Sequence, residues 1–183
     1  PESRYRPGPR SFRYNGPRGR FDHHRGGAGP MRSTPPADDP ERGIYYAAFD
    51  LEGAVVEVFG DPPRLIERGS FCVVRSRLAM RLRLLDLRSR GGMVAGPSAG
   101  IAGTENRALT QAWGRYFYDR ADIYGTIDGL LYSNSHNQRG AIALFERRQR
   151  AISTSRQIVT RLSDPRLEPE LFEIASGNGL TVI

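Results

Sequence analysis

The sequence predicts a single mixed α+β domain. Three observations carry that expectation. Short apolar, β-branched runs recur along the chain. Segments with helical spacing fall between them without strict alternation. No stretch approaches the roughly 18–20 apolar residues that span a membrane. Strands and helices that intermix without regular alternation argue against a doubly wound sheet. The 183 residues suffice for one hydrophobic core, and no internal repeat is evident.

The elements follow in order. Residues 1–39 are rich in Gly, Pro and Arg and poor in apolar side chains. Such a segment buries little surface by itself and is expected to be an irregular lead-in, partly docked, with Arg20–His24 held against the fold. Residues 40–183 form the folded domain. IYYAAF from Ile44 reads as a buried strand. Asp50 is placed to cap a helix over Leu51–Phe59, with Glu52 in its first turn, and Gly60-Asp61-Pro62-Pro63 ends it. Phe71–Leu78 and Arg81–Leu87 read as strands, and Cys72, inside FCVV, as a small core residue. The glycines of 91–103 predict a mobile loop, a candidate lid. Thr104 is placed to cap a helix through Tyr118, with Ala108, Ala112, Trp113, Tyr116 and Phe117 on its core side. Ile127–Tyr132 and Ala141–Glu146 read as strands joined by the loop Ser133–Gly140. Ile152–Leu162 adds a strand, Glu170–Ala175 a short helix, and Leu180–Ile183 an edge strand.

Composition narrows the function. The net charge is +7, and every basic residue is arginine. Arginine grips phosphate through a bidentate fork, whereas a GC-rich genome also yields arginine without function. A basic balance favours anionic partners: nucleotide, nucleic acid or acidic protein. One cysteine excludes an internal disulfide framework and fits a reducing compartment. The first residue is Pro rather than Met, as in a processed or excised chain, and no signal-peptide pattern is present.

Three constellations could carry chemistry. Arg20-Phe21-Asp22-His23-His24 places a guanidinium beside imidazoles, suited to a pyrophosphate; it could equally be a solvated basic turn. Adjacent histidines with no third ligand at metal spacing argue against a metal site. Tyr45 and Tyr46 point to opposite faces of their strand, and one of them can stack on a flat ring. Glu57 lies within AVVEVF. It is either an ordinary exposed helix residue or a carboxylate set to stabilise an oxocarbenium-like state in cleavage of a bond to a nucleobase. The loop Ser133-Asn134-Ser135-His136 follows a strand and offers hydrogen bonds to a ribose or carboxamide; its plain reading is a polar turn. It lacks the G-x-S-x-G elbow of a serine hydrolase. The 91–103 glycines match neither a Walker A loop nor a dinucleotide fingerprint.

Gly19-Arg20-Phe21, Ile44–Ala48, Ala54–Val58, Asp128–Tyr132 and Ala143–Phe145 stand in an order and spacing that resemble the RES-domain family, over residues 12–148 most strongly. The resemblance implies an ADP-ribosyltransferase-like fold, a central cleft between small β-sheets and flanking helices, and a catalytic domain over 40–183. It implies a bacterial NAD+-consuming toxin that splits the nicotinamide–ribose bond as a glycohydrolase or phosphorylase. Arg20 would bind the NAD+ phosphates, Glu57 would be the catalytic carboxylate, and Tyr46, counting back from Glu57, the catalytic tyrosine, with Tyr45 the alternative. Ser133, Asn134, Ser135 and His24 would complete the substrate contacts. The family serine commonly stands two residues after the Asp128–Tyr132 tyrosine, where this chain has Asn134. NAD+ is then substrate, with no further cofactor and no metal. The expected partner is a protein antitoxin or immunity protein blocking the cleft; no membrane and no nucleic acid is expected. The expected site of action is the cytoplasm, with delivery into another cell left open. Transfer of ADP-ribose to a macromolecule is the alternative. A non-enzymatic Arg-rich nucleic-acid binder is a third reading, and it would bind with a steep salt dependence.

Overall fold

The structure, a computed structural model, describes residues 8–26 and 36–183. It is a mixed α+β arrangement built on one four-stranded sheet. Ile44–Ala48 (β3) pairs antiparallel with Gly140–Phe145 (β8), β8 antiparallel with Gly129–Ser133 (β7), and β7 parallel with Leu84–Asp86 (β6). Three two-stranded sheets surround it: Asn15–Gly16 (β1) with Ala37–Asp38 (β2), Leu65–Ile66 (β4) with Thr181–Val182 (β10), and Cys72–Arg77 (β5) with Arg156–Arg161 (β9). No helix among the described residues is long and apolar enough to cross a membrane.

Strand β8 shows why the central sheet forms. Its alternate residues point to opposite faces, and both faces are covered. Ala141, Ala143 and Phe145 join Phe21, Leu130, Tyr132 and Phe117 in one core. Ile142 and Leu144 join Phe12 and Ile152 in another. A third core lies between the helix Leu51–Phe59 (α1) and the helix Glu168–Asn178 (α6), closed by Ile66 and Leu162.

The lead-in is part of this packing. Phe12 and Phe21 are buried, as are Asp22, His23 and His24. Arg13 makes a backbone bridge with Ile44 and so lays the segment along the edge of β3. Phe21 sits against the helix Arg107–Asp119 (α3) because residue 114 is glycine: a Cβ there would stand 2.7 Å from the Phe21 carbonyl oxygen. Residues 1–7 and 27–35, which hold most of RGGAGP and the start of the lead-in, lie outside the described residues.

Helix α1 begins and ends where its capping residues put it. The Asp50 carboxylate accepts the Gly53 N–H at 2.7 Å, and Gly60 closes the other end. Several expectations are corrected. Cys72 is exposed, because β5 pairs only with β9 and turns that side of the ribbon outward. Residues 91–103 are not a free loop: Gly91–Val94 is a short helix (α2), and Ala95, Ile101 and Ala102 are buried in the Phe21 core, leaving Met93 and Val94 exposed. Helix α3 starts later than expected. Asn106, not Thr104, accepts the Leu109 N–H, while Thr104 Oγ1 accepts from Asn106 N. The buried stripe of α3 is Thr110, Gln111, Gly114 and Phe117; Ala112 and Tyr116 are exposed. Phe117 and, partly buried, Trp113 face the core as expected, and Gly114 marks the closest approach. Residues 149–153 form a short helix (α5) before β9, so the expected strand from Ile152 begins only at Arg156. A short helix, Ala121–Tyr124 (α4), follows α3.

Candidate active site

Arg20 is brought to the other predicted residues by the lead-in. One of its guanidinium nitrogens donates to the Thr104 carbonyl, and Nη2 donates to Ser135 Oγ at 2.9 Å. A segment near the start of the chain thus meets the loop between β7 and β8, 115 positions away. That loop is preorganised. The Asn134 carboxamide oxygen accepts the backbone N–H of His136 and of Asn137, at 3.1 and 2.9 Å, a side-chain turn that fixes where Ser135 points. Gly60 lets the loop approach the end of α1: a Cβ there would meet the His136 ring at 2.9 Å.

Glu57 lies in the last turn of α1 and is exposed. The buried face of α1 is Gly53, Val55 and Val56, so Glu57 sits beside the apolar face rather than on it. It is nonetheless electrostatically close to the site. Tyr132 is buried, and its phenol is pushed up first by burial, then by the Glu57 carboxylate, with Arg20 opposing and Asp22 adding a smaller push. Arg20, Glu57 and Asp22 therefore all act electrostatically on Tyr132, a buried motif residue to which the expectations gave no part in the site.

Tyr46 and Tyr45 part as neighbours on a strand must. Tyr46 lies on the Tyr132 side of the sheet. Its hydroxyl donates to Asp22 Oδ1 at 2.8 Å and accepts the Phe21 N–H at 3.1 Å. Burial pushes its phenol well up, and the adjacent Asp22 carboxylate adds to this. With its hydroxyl so engaged, Tyr46 has only its ring to offer a ligand. Tyr45 lies on the opposite face, packed on Phe12 with its hydroxyl donating to the Pro9 carbonyl; it does not join the Arg20 set. Ser133 ends β7 opposite Gly140. His24 is fully buried, 3.2 Å from the Arg13 carbonyl through Nε2, and has no surface to present.

Asp22 is the group that sequence reading missed. It is completely buried and holds the site from behind. Both oxygens accept from Arg13 Nη2 at 2.8 Å, and Oδ2 also accepts the Gly19 N–H at 2.9 Å. Burial opposes its ionisation, but Arg13 and the N–H donors outweigh burial and hold the carboxyl below its usual range. A second buried network adjoins it. His23 Nε2 lies 2.9 Å from Glu146 Oε2, and the Tyr118 hydroxyl donates to Glu146 Oε1 at 2.6 Å. Among the described residues, no group of three His, Cys, Asp or Glu side chains could hold a metal ion.

These networks predict acid lability. Burial lowers His23 and His24, against the opposing pulls of Glu146 and Asp22. A histidine kept neutral in the fold, but free to protonate when unfolded near pH 6.5, costs stability as pH falls below that value. The lowered Asp22 and Glu146 act in the same direction at more acid pH. The unfolding free energy from urea titrations is therefore expected to fall between pH 7.5 and 5.5, by up to about 1 kcal/mol for each histidine whose titration is lowered. A stability unchanged over that interval would contradict the lowered titration of His23 and His24.

A concavity of about 420 Å³ lined by Asp50, Glu52, Arg139, Glu170, Glu173 and Asn178 shares no residue with this set. Its four carboxylates face one guanidinium, the wrong sign for nucleotide phosphates.

The family model of the RES domain matches residues 2–167. The chain belongs to the RES-domain family. No curated protein and no solved structure matches it. The RES family is generally linked to NAD+-related toxin function, and its proteins are known as toxins of toxin–antitoxin pairs. In this RES domain the matched span takes in the lead-in, the end of α1 and the Ser135 loop.

Proposed function

We propose that this RES domain consumes NAD+, splitting the bond between nicotinamide and ribose with water or phosphate as acceptor, and acts as a toxin in the cytoplasm. The observation that carries the reading is the meeting of Arg20 with the Ser135 loop beside the end of α1, where Glu57 stands. In this reading Arg20 turns its fork from the Thr104 carbonyl and Ser135 to the pyrophosphate. The Tyr46 ring flanks a flat base. Ser135, with Ser133 alongside, hydrogen-bonds the ribose or carboxamide; Asn134, buried and holding the turn through its side-chain oxygen, supports them from the interior with Asp22 and His24. The departing nicotinamide leaves positive charge on the ribose, which the Glu57 carboxylate stabilises while water or phosphate attacks. A protein antitoxin would neutralise the domain by covering Arg20 and Glu57.

The exposure of Glu57 favours a second reading, ADP-ribose transfer to a macromolecule, because a bulky acceptor could reach the carboxylate. Incubating the protein with NAD+, with and without phosphate and in the presence of cell extract, separates the two by product mass. Free ADP-ribose or its phosphorylated form supports NAD+ consumption; a mass gain on protein or nucleic acid supports transfer. Intact NAD+ in every arm would end both.

Arg20→Ala is expected to weaken NAD+ binding by about 1.5–3 kcal/mol, the loss of a charge-assisted bond. The fold should lose less, since Arg20 is only partly buried and ties down two loops by polar contacts alone. Arg20→Lys should restore binding only in part, because lysine cannot fork. Titration calorimetry showing the wild-type affinity in Arg20→Ala would remove Arg20 from the site.

A further inference from the structure

The ribbon of β5 and β9 carries a surface that the catalytic reading does not use. Residues opposite one another in an antiparallel pair share a face, and the register puts Arg75 opposite Ile158 and Arg77 opposite Arg156. All four are exposed, Ile158 by 56%. Two guanidinium side chains directly opposite repel, and no ion pair among the described residues relieves Arg75, Arg77 or Arg156. One end of that same face is taken up by Val73, which packs on the α1–α6 core, so the free part is the Arg75–Arg77 end; on the opposite face Gln157 donates to the Pro9 carbonyl at 3.0 Å. Among the described residues neither β5 nor β9 has a second strand partner, so neither outer edge is paired there.

We propose that this arginine-lined face of the β5–β9 ribbon docks an acidic, extended segment of another protein. Charge selects the occupant: a second copy of this chain would set arginines against arginines. The face has no aromatic side chain on which bases could stack. Exposed Ile158 beside Arg75, Arg77 and Arg156 sets one aliphatic side chain against guanidinium groups, a mixture found in protein interfaces. An open strand edge offers main-chain hydrogen bonds to an extended segment, and alternate carboxylates on that segment would reach the three arginines.

The test measures binding of a labelled short peptide of alternating glutamate and valine, against a single-stranded RNA of similar length. The wild-type protein should bind the peptide, less tightly as salt is added. Joint replacement of Arg75, Arg77 and Arg156 by Glu should weaken peptide binding roughly tenfold or more. The same reversal at Arg90, Arg107 and Arg166 should change it less than about twofold. Ile158→Ser, which leaves every charge in place, should weaken the peptide several-fold and leave RNA unaffected. If circular dichroism shows the reversed ribbon unfolded, Arg→Gln at the three positions is read in its place. Equal losses from the ribbon and control replacements would overturn the proposal. So would tighter binding of RNA with indifference to Ile158→Ser, or dimerisation of the wild type that the ribbon replacements abolish.

Discussion

Glu57→Gln should abolish NAD+ loss while leaving the protein folded. The carboxylate is the only anionic group of the proposed set that stands at the surface; Asp22 is fully buried and already bonded on both oxygens. Glutamine keeps the shape and the helix but cannot neutralise a developing oxocarbenium charge. Loss of such transition-state electrostatics costs on the order of 10²-fold or more in rate. Stability should barely move, since exposed positions outside caps and networks usually shift it by about 0.5 kcal/mol or less. The phenol of Tyr132 should become more acidic, because Glu57 contributes to its upward shift. NAD+ turnover within a few-fold of the wild type would assign the chemistry to another residue.

Asp22→Ala should have the largest effect on the fold. It strips Arg13, the Gly19 N–H and the Tyr46 hydroxyl of one shared acceptor deep in the structure. Removing one partner of a buried ion pair costs about 3–5 kcal/mol, a large part of the roughly 5–15 kcal/mol that holds an ordinary domain together. Asp22→Asn should cost less, since its carbonyl can still accept from Tyr46. Urea denaturation followed by tryptophan fluorescence would measure both. Near-identical midpoints for Asp22→Ala and the wild type would show that Asp22 does not hold the lead-in to β3.

Local chemistry made some elements readable from sequence and left others hidden. Helix α1 was legible because Asp50 and Gly60 are capping residues at its two ends, and the β7–β8 hairpin because polar residues separate two apolar runs. Cys72 was misread because FCVV is apolar, yet its sheet has only two strands and one side of each is left to solvent. The start of α3 was misread because Thr104 and Asn106 are both competent caps, and Thr104 instead accepts from the Asn106 N–H ahead of the helix. At the site, Arg20 and Ser135 could be named singly because each lies in a short motif. Their direct bond could not, since it spans unrelated segments. Asp22 gave no local signal: its meaning lies in Arg13 and Tyr46, and nothing in the sequence between them indicates that the chain folds back.

That folding back has a consequence for synthesis. Arg20 finds Ser135 and His23 finds Glu146 only across separations of 115 and 123 residues. A ribosome releases Arg20, Asp22 and Glu57 long before β7 and β8 exist to receive them. Contacts this distant along the chain also form slowly, because closing long loops costs entropy before any contact repays it. The nascent polypeptide therefore lacks an assembled site until residues beyond Glu146 have left the exit tunnel. Under the proposed function, an inhibitor made at the same time would have that interval in which to fold first.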